Sequence, residues 1–308
     1  MNFEQVAELA ATRAIFEVSA APSILAERTL LWLGTRFDIQ RPANYFTHLQ
    51  SLPLLALPWW LEESIRDCAD AEFQAELMYA TINFYYFTRI LDDVMDGHEI
   101  EPAVLPAMHP FHLRFTRPYY RRFGLQSSFW EHFERLLMVT IETASAEVVL
   151  RKITSEQFLN ISARKTAAAV IPMAAVCVHY DRLDLLESWE NMFTAFGRWH
   201  QMRDDVRDWS ADWQADSPTW LLSEAEQRHS SGESVPAWMG REGFLWAKSV
   251  MRSWMDETLG AASNLGSSQL VLYMRARDEE FCREIDRTIA MAEACNELLK
   301  AESLLEQV

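Results

Sequence analysis

Seven aspartates fall in two short blocks. "LDDVMDG" at 91–97 holds Asp92, Asp93 and Asp96, and "HQMRDDVRDWSAD" at 200–212 holds Asp204, Asp205, Asp208 and Asp212. On a helix, Asp92 and Asp96 are i, i+4 neighbours and Asp93 and Asp96 are i, i+3, so three carboxylates converge near one face. Asp204, Asp208 and Asp212 run down one face at i, i+4, i+8. Like charges at this spacing repel by a few tenths of a kcal/mol per pair, and by more where water is excluded, so each block asks for a cation. Hard carboxylate oxygens suit Mg²⁺, which keeps several waters and takes substrate phosphates as its remaining ligands. One such block in an acidic protein reads equally well as a solvated helix face. Random order would give on the order of 0.04 DDxxD matches in a chain of this length, and here there are two.

Each block ends an apolar stripe, which says what must position it. Phe73, Leu77, Thr81, Phe84 and Thr88 lead at helical spacing to Asp92 and Asp96, and Trp189, Phe193, Phe196 and His200 lead to Asp204 and Asp208. The spacing predicts helices over 72–97 and 183–209. If the two faced each other, an apolar cavity rimmed by carboxylates would result. Its depth would be about 12 Å from Phe84 to Asp92 and about 28 Å from Phe73, at 1.5 Å per residue. The ligand that fits has a phosphorylated head and a hydrocarbon tail.

The rest of the chain is read as helical too. There are only 9 glycines in 308 residues and no alternating β-branched run bounded by turns. The expectation is an all-α, single-domain antiparallel helical bundle over 1–308, around a deep apolar cavity. Thr154-Ser-Glu-Gln157 is a capping box opening a helix towards Lys165, and Pro172 should kink the apolar run that follows. Segments 98–110, with three prolines, and 229–240 read as loops. Length alone would admit two domains, but neither loop is a convincing linker and no repeat of 20 to 50 residues is present.

Charge and composition exclude several function classes. A net charge of −17 repels polyanions, so no nucleic-acid partner is expected, and an anionic substrate needs an intervening cation. The longest apolar run, "AAAVIPMAAVCV" at 167–178, is shorter than the roughly 20 residues of a bilayer span, so no stable membrane insertion is expected. The N-terminus carries Glu4 and Glu8 and does not read as a signal peptide. The four cysteines are scattered without a CxxC pair. A reduced, cytoplasmic setting is the expectation.

Two DDxxD motifs about 110 residues apart, with "SEQFLNISARKTAAAV" before the second and "HQMRDD" leading into it, resemble the trans-isoprenyl diphosphate synthases and the class I terpene cyclases that share their fold. The resemblance covers about residues 70–220. It implies the class I terpenoid synthase fold, with Asp92, Asp93 and Asp96 as one metal motif and Asp204, Asp205 and Asp208 as the other. It further implies Lys165 as a diphosphate contact beside Thr166, and Gln201 as the glutamine before the second motif. The spacing of Asp204, Asp208 and Asp212 also coincides with the second metal motif of terpene cyclases, in spacing but not in residue type. Three Mg²⁺ ions with bound diphosphate, Mn²⁺ as a substitute, and a homodimer are implied in the same way.

The departures from that family choose the reaction. Chain-elongating members carry an arginine pair soon after the first motif and an early Gly-Lys-Arg with a further Arg-Pro. Here "GHEIEPAVLPAMHP" at 97–110 has no arginine, and "LGTRFDIQRP" keeps Arg36 and Arg41 but no lysine. Two bound diphosphates would be poorly compensated. The expected activity is therefore a Mg²⁺-dependent terpene cyclase that ionises one allylic prenyl diphosphate and cyclises the cation. Elongation with isopentenyl diphosphate, using Arg114, Arg117, Arg121 or Arg122 as replacement cations, is the alternative, and a non-catalytic subunit of a prenyltransferase is a lesser one. Lys165, with Arg164 and Arg203, is expected to meet the diphosphate; the two arginines read equally as surface ion pairs. Tyr273 and Arg275 could reach the head group. Phe84, Phe87, Phe158, Phe196 and Trp199 could face cationic carbons, although plain core packing is the simpler reading of each. His200 reads as an interior histidine, and Thr88 and Phe87 as positions where bulk would limit tail length.

Overall fold

The computed structural model describes the backbone of residues 1–305 and the side chains of residues 1–295. In chain order the helices are α1 (Phe3–Ser19), α2 (Ser23–Gly34), α3 (Asn44–Thr47), α4 (Ala56–Ile65), α5 (Ala71–Met95), α6 (Met108–Phe123) and α7 (Phe129–Val148). They continue with α8 (Ser155–Asn160), α9 (Ile171–His179), α10 (Leu186–Gln214), α11 (Trp220–Arg228), α12 (Val235–Trp238), α13 (Phe244–Ser263) and α14 (Ser268–Leu305). No strand occurs among the described residues, as the all-α expectation required. The chain divides into two compact units, Met1–Leu136 with Ala169–Glu187, and Leu137–Ala168 with Ser188–Val308.

In the first unit, α5 opens on Asp70, whose carboxylate accepts from the backbone N–H groups of Glu72 and Phe73. It closes on a Schellman motif. Gly97, at φ 70°, lets its own N–H reach the Val94 carbonyl and the His98 N–H reach the Asp93 carbonyl. The acidic block is thus the last turn of α5, and the glycine that follows it is the residue that stops the helix. Helix α6 lies antiparallel against α5. Phe84 meets Phe115 with ring centroids 4.4 Å apart, Phe87 meets His112 at 5.7 Å, and Arg122 lies 4.7 Å over Phe73. On another side α1 packs against α5, with Arg13 3.8 Å over the Tyr79 ring.

In the second unit, α13 and α14 pack together. Phe158 of α8 is fully buried, stacked on Trp254 at 5.6 Å and beside Trp220 at 5.0 Å. The capping box is present, with Thr154 Oγ1 accepting from the Gln157 N–H and Gln157 Oε1 accepting from the Thr154 N–H. The helix it opens stops at Asn160 instead of running to Lys165, and short 3₁₀ turns at Ser162–Arg164 and Ala167–Val170 follow. Pro172, expected to kink a helix, sits in the first turn of α9, where its missing N–H costs nothing. Segment 98–110 is not a plain loop, since Pro102–Ala107 forms a 3₁₀ helix that leads into α6.

Gly197 sets how closely α10 approaches the segment carrying Lys165. A Cβ there would stand 2.9 Å from the Ala163 carbonyl oxygen and 3.8 Å from Thr166 Oγ1. Because the near atom is backbone, the clash cannot be relieved by a rotamer change. Gly197→Ala is expected to lower stability by about 1–3 kcal/mol, read as a drop in the denaturation midpoint.

Candidate functional site

The second aspartate of the first motif lies on a different face from its companions. Tyr79, Ile82, Tyr86, Ile90 and Asp93 form the buried stripe of α5, while Asp92 and Asp96 remain exposed. Asp93 is 0% exposed, and its charge is met inside the unit. Arg36 Nη2 is 2.6 Å from Asp93 Oδ2, Trp32 Nε1 donates to the same oxygen at 3.2 Å, and Arg89 and His98 each approach Oδ1 at 3.6 Å. Arg36, retained from the degraded N-terminal motif, is therefore committed to Asp93. This leaves Asp92 and Asp96 as the accessible carboxylates of the block, at a helix C-terminus whose dipole also favours a cation.

The second motif repeats this division with different chemistry. Asp205 is buried, whereas Asp204 and Asp212 are partly exposed and Asp208 is exposed. Gln201 Nε2 donates to Asp205 Oδ1 at 3.0 Å. Burial outweighs this hydrogen bond and the nearby Lys165, and pushes the Asp205 carboxyl up to about 7. His200, one turn before Asp204, is driven the other way, to about 4, chiefly by desolvation. Arg277 Nη2 lies 3.3 Å from His200 Nδ1 and Asp204 Oδ2 lies 3.6 Å from Nε2. The guanidinium can only donate, so the neutral imidazole accepts at Nδ1 and carries its proton on Nε2, towards Asp204.

Arg277 is the residue the sequence reading missed. Arg275, named there with Tyr273, is exposed, while Arg277 is 1% exposed, with its guanidinium 5.3 Å over the Trp199 ring and its Nε without a hydrogen-bond partner. A signal existed, because Leu270, Met274, Arg277, Phe281 and Ile285 form one buried stripe at helical spacing. Arg203 lies close by, 4% exposed, with Nη2 3.4 Å from Glu284 Oε2 and Nη1 3.9 Å from Asp204 Oδ1. Its burial sets aside the reading of an ordinary surface pair. Lys165 Nζ is 3.1 Å from Glu147 Oε2 and adds its field to those acting on His200 and Asp205. Arg164, by contrast, is exposed. Lys165, Arg203 and Arg277 thus gather around His200 and the head of the second motif.

The aromatic candidates are packed against one another. Phe84 and Phe87 are half-buried beside α6, and Thr88 Oγ1 donates to the Tyr85 carbonyl. Phe196 is fully buried, stacked on Trp199 at 5.6 Å and on His200 at 6.1 Å, with Tyr273 edge-on at 6.2 Å. Thr166 is partly buried facing Gly197.

Among the described residues no three His, Cys, Asp or Glu side chains are gathered as ligands of one metal. With Asp93 spent on Arg36 and Asp205 buried, each block offers accessible carboxylates one helical turn apart. Such a set does not suit a resident metal in an all-protein cage. It does suit Mg²⁺, which is held by one or two carboxylates and arrives with substrate phosphates.

Two variants test the division within each motif. Asp93→Asn leaves Arg36 without its counter-charge and is expected to lower stability by about 2–3 kcal/mol, while exposed Asp92→Asn and Asp96→Asn stay within about 0.5 kcal/mol. For Asp205 the folded-state carboxyl is raised above its unfolded value, so the native protein loses stability as pH rises from about 4 to about 7. Asp205→Asn should therefore gain on the parent across that interval and hold a constant advantage above it, measured by denaturation midpoints at each pH in chelator.

No family model matches the sequence, and no curated protein matches it. Among solved structures, a geranylgeranyl pyrophosphate synthetase from the archaeon Geoglobus acetivorans superposes with a TM-score of 0.65 at 13% identity, over 87% of this chain and 98% of that one. The fold is that of the isoprenyl diphosphate synthases.

Proposed function

We propose that this protein is an enzyme acting on prenyl diphosphates, and within that class a terpene cyclase that ionises one allylic substrate and closes its carbocation into a ring. Asp92 and Asp96 in one unit, and Asp204, Asp208 and Asp212 in the other, are the candidate ligands for divalent cations. Mg²⁺ held by such carboxylates would supply Lewis acidity to a bound diphosphate. Arg277, Arg203 and Lys165 bind the leaving diphosphate oxygens. His200, held neutral, keeps Arg277 oriented. The apolar aromatics exclude water from the cation, and the diphosphate that departs can itself take up a proton.

The observation that favours cyclisation over elongation is where the first unit spends its cations. Arg36 is bound to Asp93, and Arg114 to Glu17 at 3.0 Å and to the Glu17 carbonyl at 2.7 Å. Arg121 and Arg122 sit at the end of α6 that meets Phe73, about 28 Å along α5 from Asp92. Arg117 lies nine residues into α6, about 14 Å from the end beside the motif. These pairings and distances weigh against a second diphosphate at the first motif.

Purified protein with Mg²⁺ is to be incubated with geranyl, farnesyl, geranylgeranyl and geranylfarnesyl diphosphates, with and without isopentenyl diphosphate. The expected outcome is a cyclic hydrocarbon or alcohol from one substrate alone. A longer diphosphate formed only with both would establish elongation instead, and inertness throughout would point to a binding subunit. Asp92→Asn and Asp204→Asn should each lower turnover by orders of magnitude, and Arg277→Gln by about 10²-fold.

A further inference from the structure

Lys165, assigned above to the leaving diphosphate, is already engaged by a residue to which that chemistry gives no part. Its Nζ donates to Glu147 Oε2 at 3.1 Å, with the lysine side chain 36% and the glutamate side chain 23% exposed. Glu147 stands in the last turn of α7. A carboxylate there lies at the negative end of the helix dipole, a position that favours a cation, so the acid needs a counter-charge close by. Lys165 supplies it from 18 residues further along the chain.

The backbone around this pair is tied down, whereas the lysine side chain is not. Thr140, two turns before Glu147 on the same face of α7, accepts from the Ala168 N–H through Oγ1 at 2.7 Å. Gly197 of α10 closes on the same segment at Ala163 and Thr166. What can move is therefore the flexible four-carbon stem of Lys165, which ends in an ammonium with rotatable donors. A partly exposed ion pair contributes little in water, so a multiply charged anion can compete for that ammonium. The charge of Lys165 also acts on His200 and Asp205. Its field thus reaches the head of the second motif while its hydrogen bond is given to Glu147.

We infer that Glu147 is a positioning residue that holds the Lys165 ammonium in the resting site and yields it to an incoming diphosphate, and so sets the affinity for that anion. This role rests on the diphosphate reading given above. Calorimetric titration with inorganic pyrophosphate and Mg²⁺ tests it on four full-length proteins: the parent, Glu147→Gln, Lys165→Gln and the double variant. Lys165→Gln should weaken binding by about tenfold. Glu147→Gln should tighten it, by a factor about three to five times larger with Lys165 in place than in the Lys165→Gln background, because only with the lysine present must the anion break an ion pair. A carboxylate acting by plain repulsion would give the same factor in both backgrounds. Denaturation midpoints should stay near the parent's, since both side chains are partly in solvent. Equal factors, or weaker binding by Glu147→Gln, overturn the role of Glu147 alone. Unchanged binding by Lys165→Gln, or no saturable binding by the parent, overturns it together with the diphosphate reading.

Discussion

Carboxylates packed into two adjacent helical turns cannot all stay charged, dry and unaccompanied, and this constraint shapes both units. In each Asp-Asp doublet the second residue falls on the buried stripe and the first faces outward, because neighbours on a helix are 100° apart. The protein resolves the buried partner differently each time. Asp93 is met by Arg36, Trp32, Arg89 and His98. Asp205 receives one amide hydrogen bond and is held as the neutral acid up to near-neutral pH. What remains outward is a pair of carboxylates one turn apart in the first block and three in the second, suited to a cation that brings its own remaining ligands.

The second block adds a layer of positive charge close behind the acids. Arg203 and Arg277 are both almost wholly buried, a cost tolerated only where partners or a purpose offset it. Arg277 stacks on Trp199 and leans on a neutral imidazole, which leaves part of its donor set unspent. A buried guanidinium with its Nε in reserve beside outward carboxylates is the strongest support the second unit gives to the proposed chemistry.

Much of this was legible from residue spacing. The two helices carrying the acidic blocks follow from aromatic periodicity, and their observed bounds differ from the expected ones by only a few residues. The capping box at Thr154 is legible at its start, whereas the stop at Asn160 and the close approach of Gly197 to Ala163 leave no local mark. Arg277 was missed because an arginine on an apolar stripe is easily passed over as a surface residue, although its phase with Met274 and Phe281 marks it as interior. The partnership of Arg36 with Asp93 joins positions 57 apart, and no local pattern encodes such a contact. The apportioning of charge between the two members of each doublet was legible in principle from helix phase, and became evident only with the partners in view.

Gly97 gives the first block a further property. By closing α5 with its own backbone bonds immediately after Asp96, it makes the geometry of the acidic turn self-contained. The stretch between it and Pro102 can then lengthen, shorten or change sequence without rotating Asp92 and Asp96 about the helix axis. Variation at this edge of the unit is thereby mechanically insulated from the charged turn beside it, and the surroundings of the carboxylates can drift while their mutual spacing is kept.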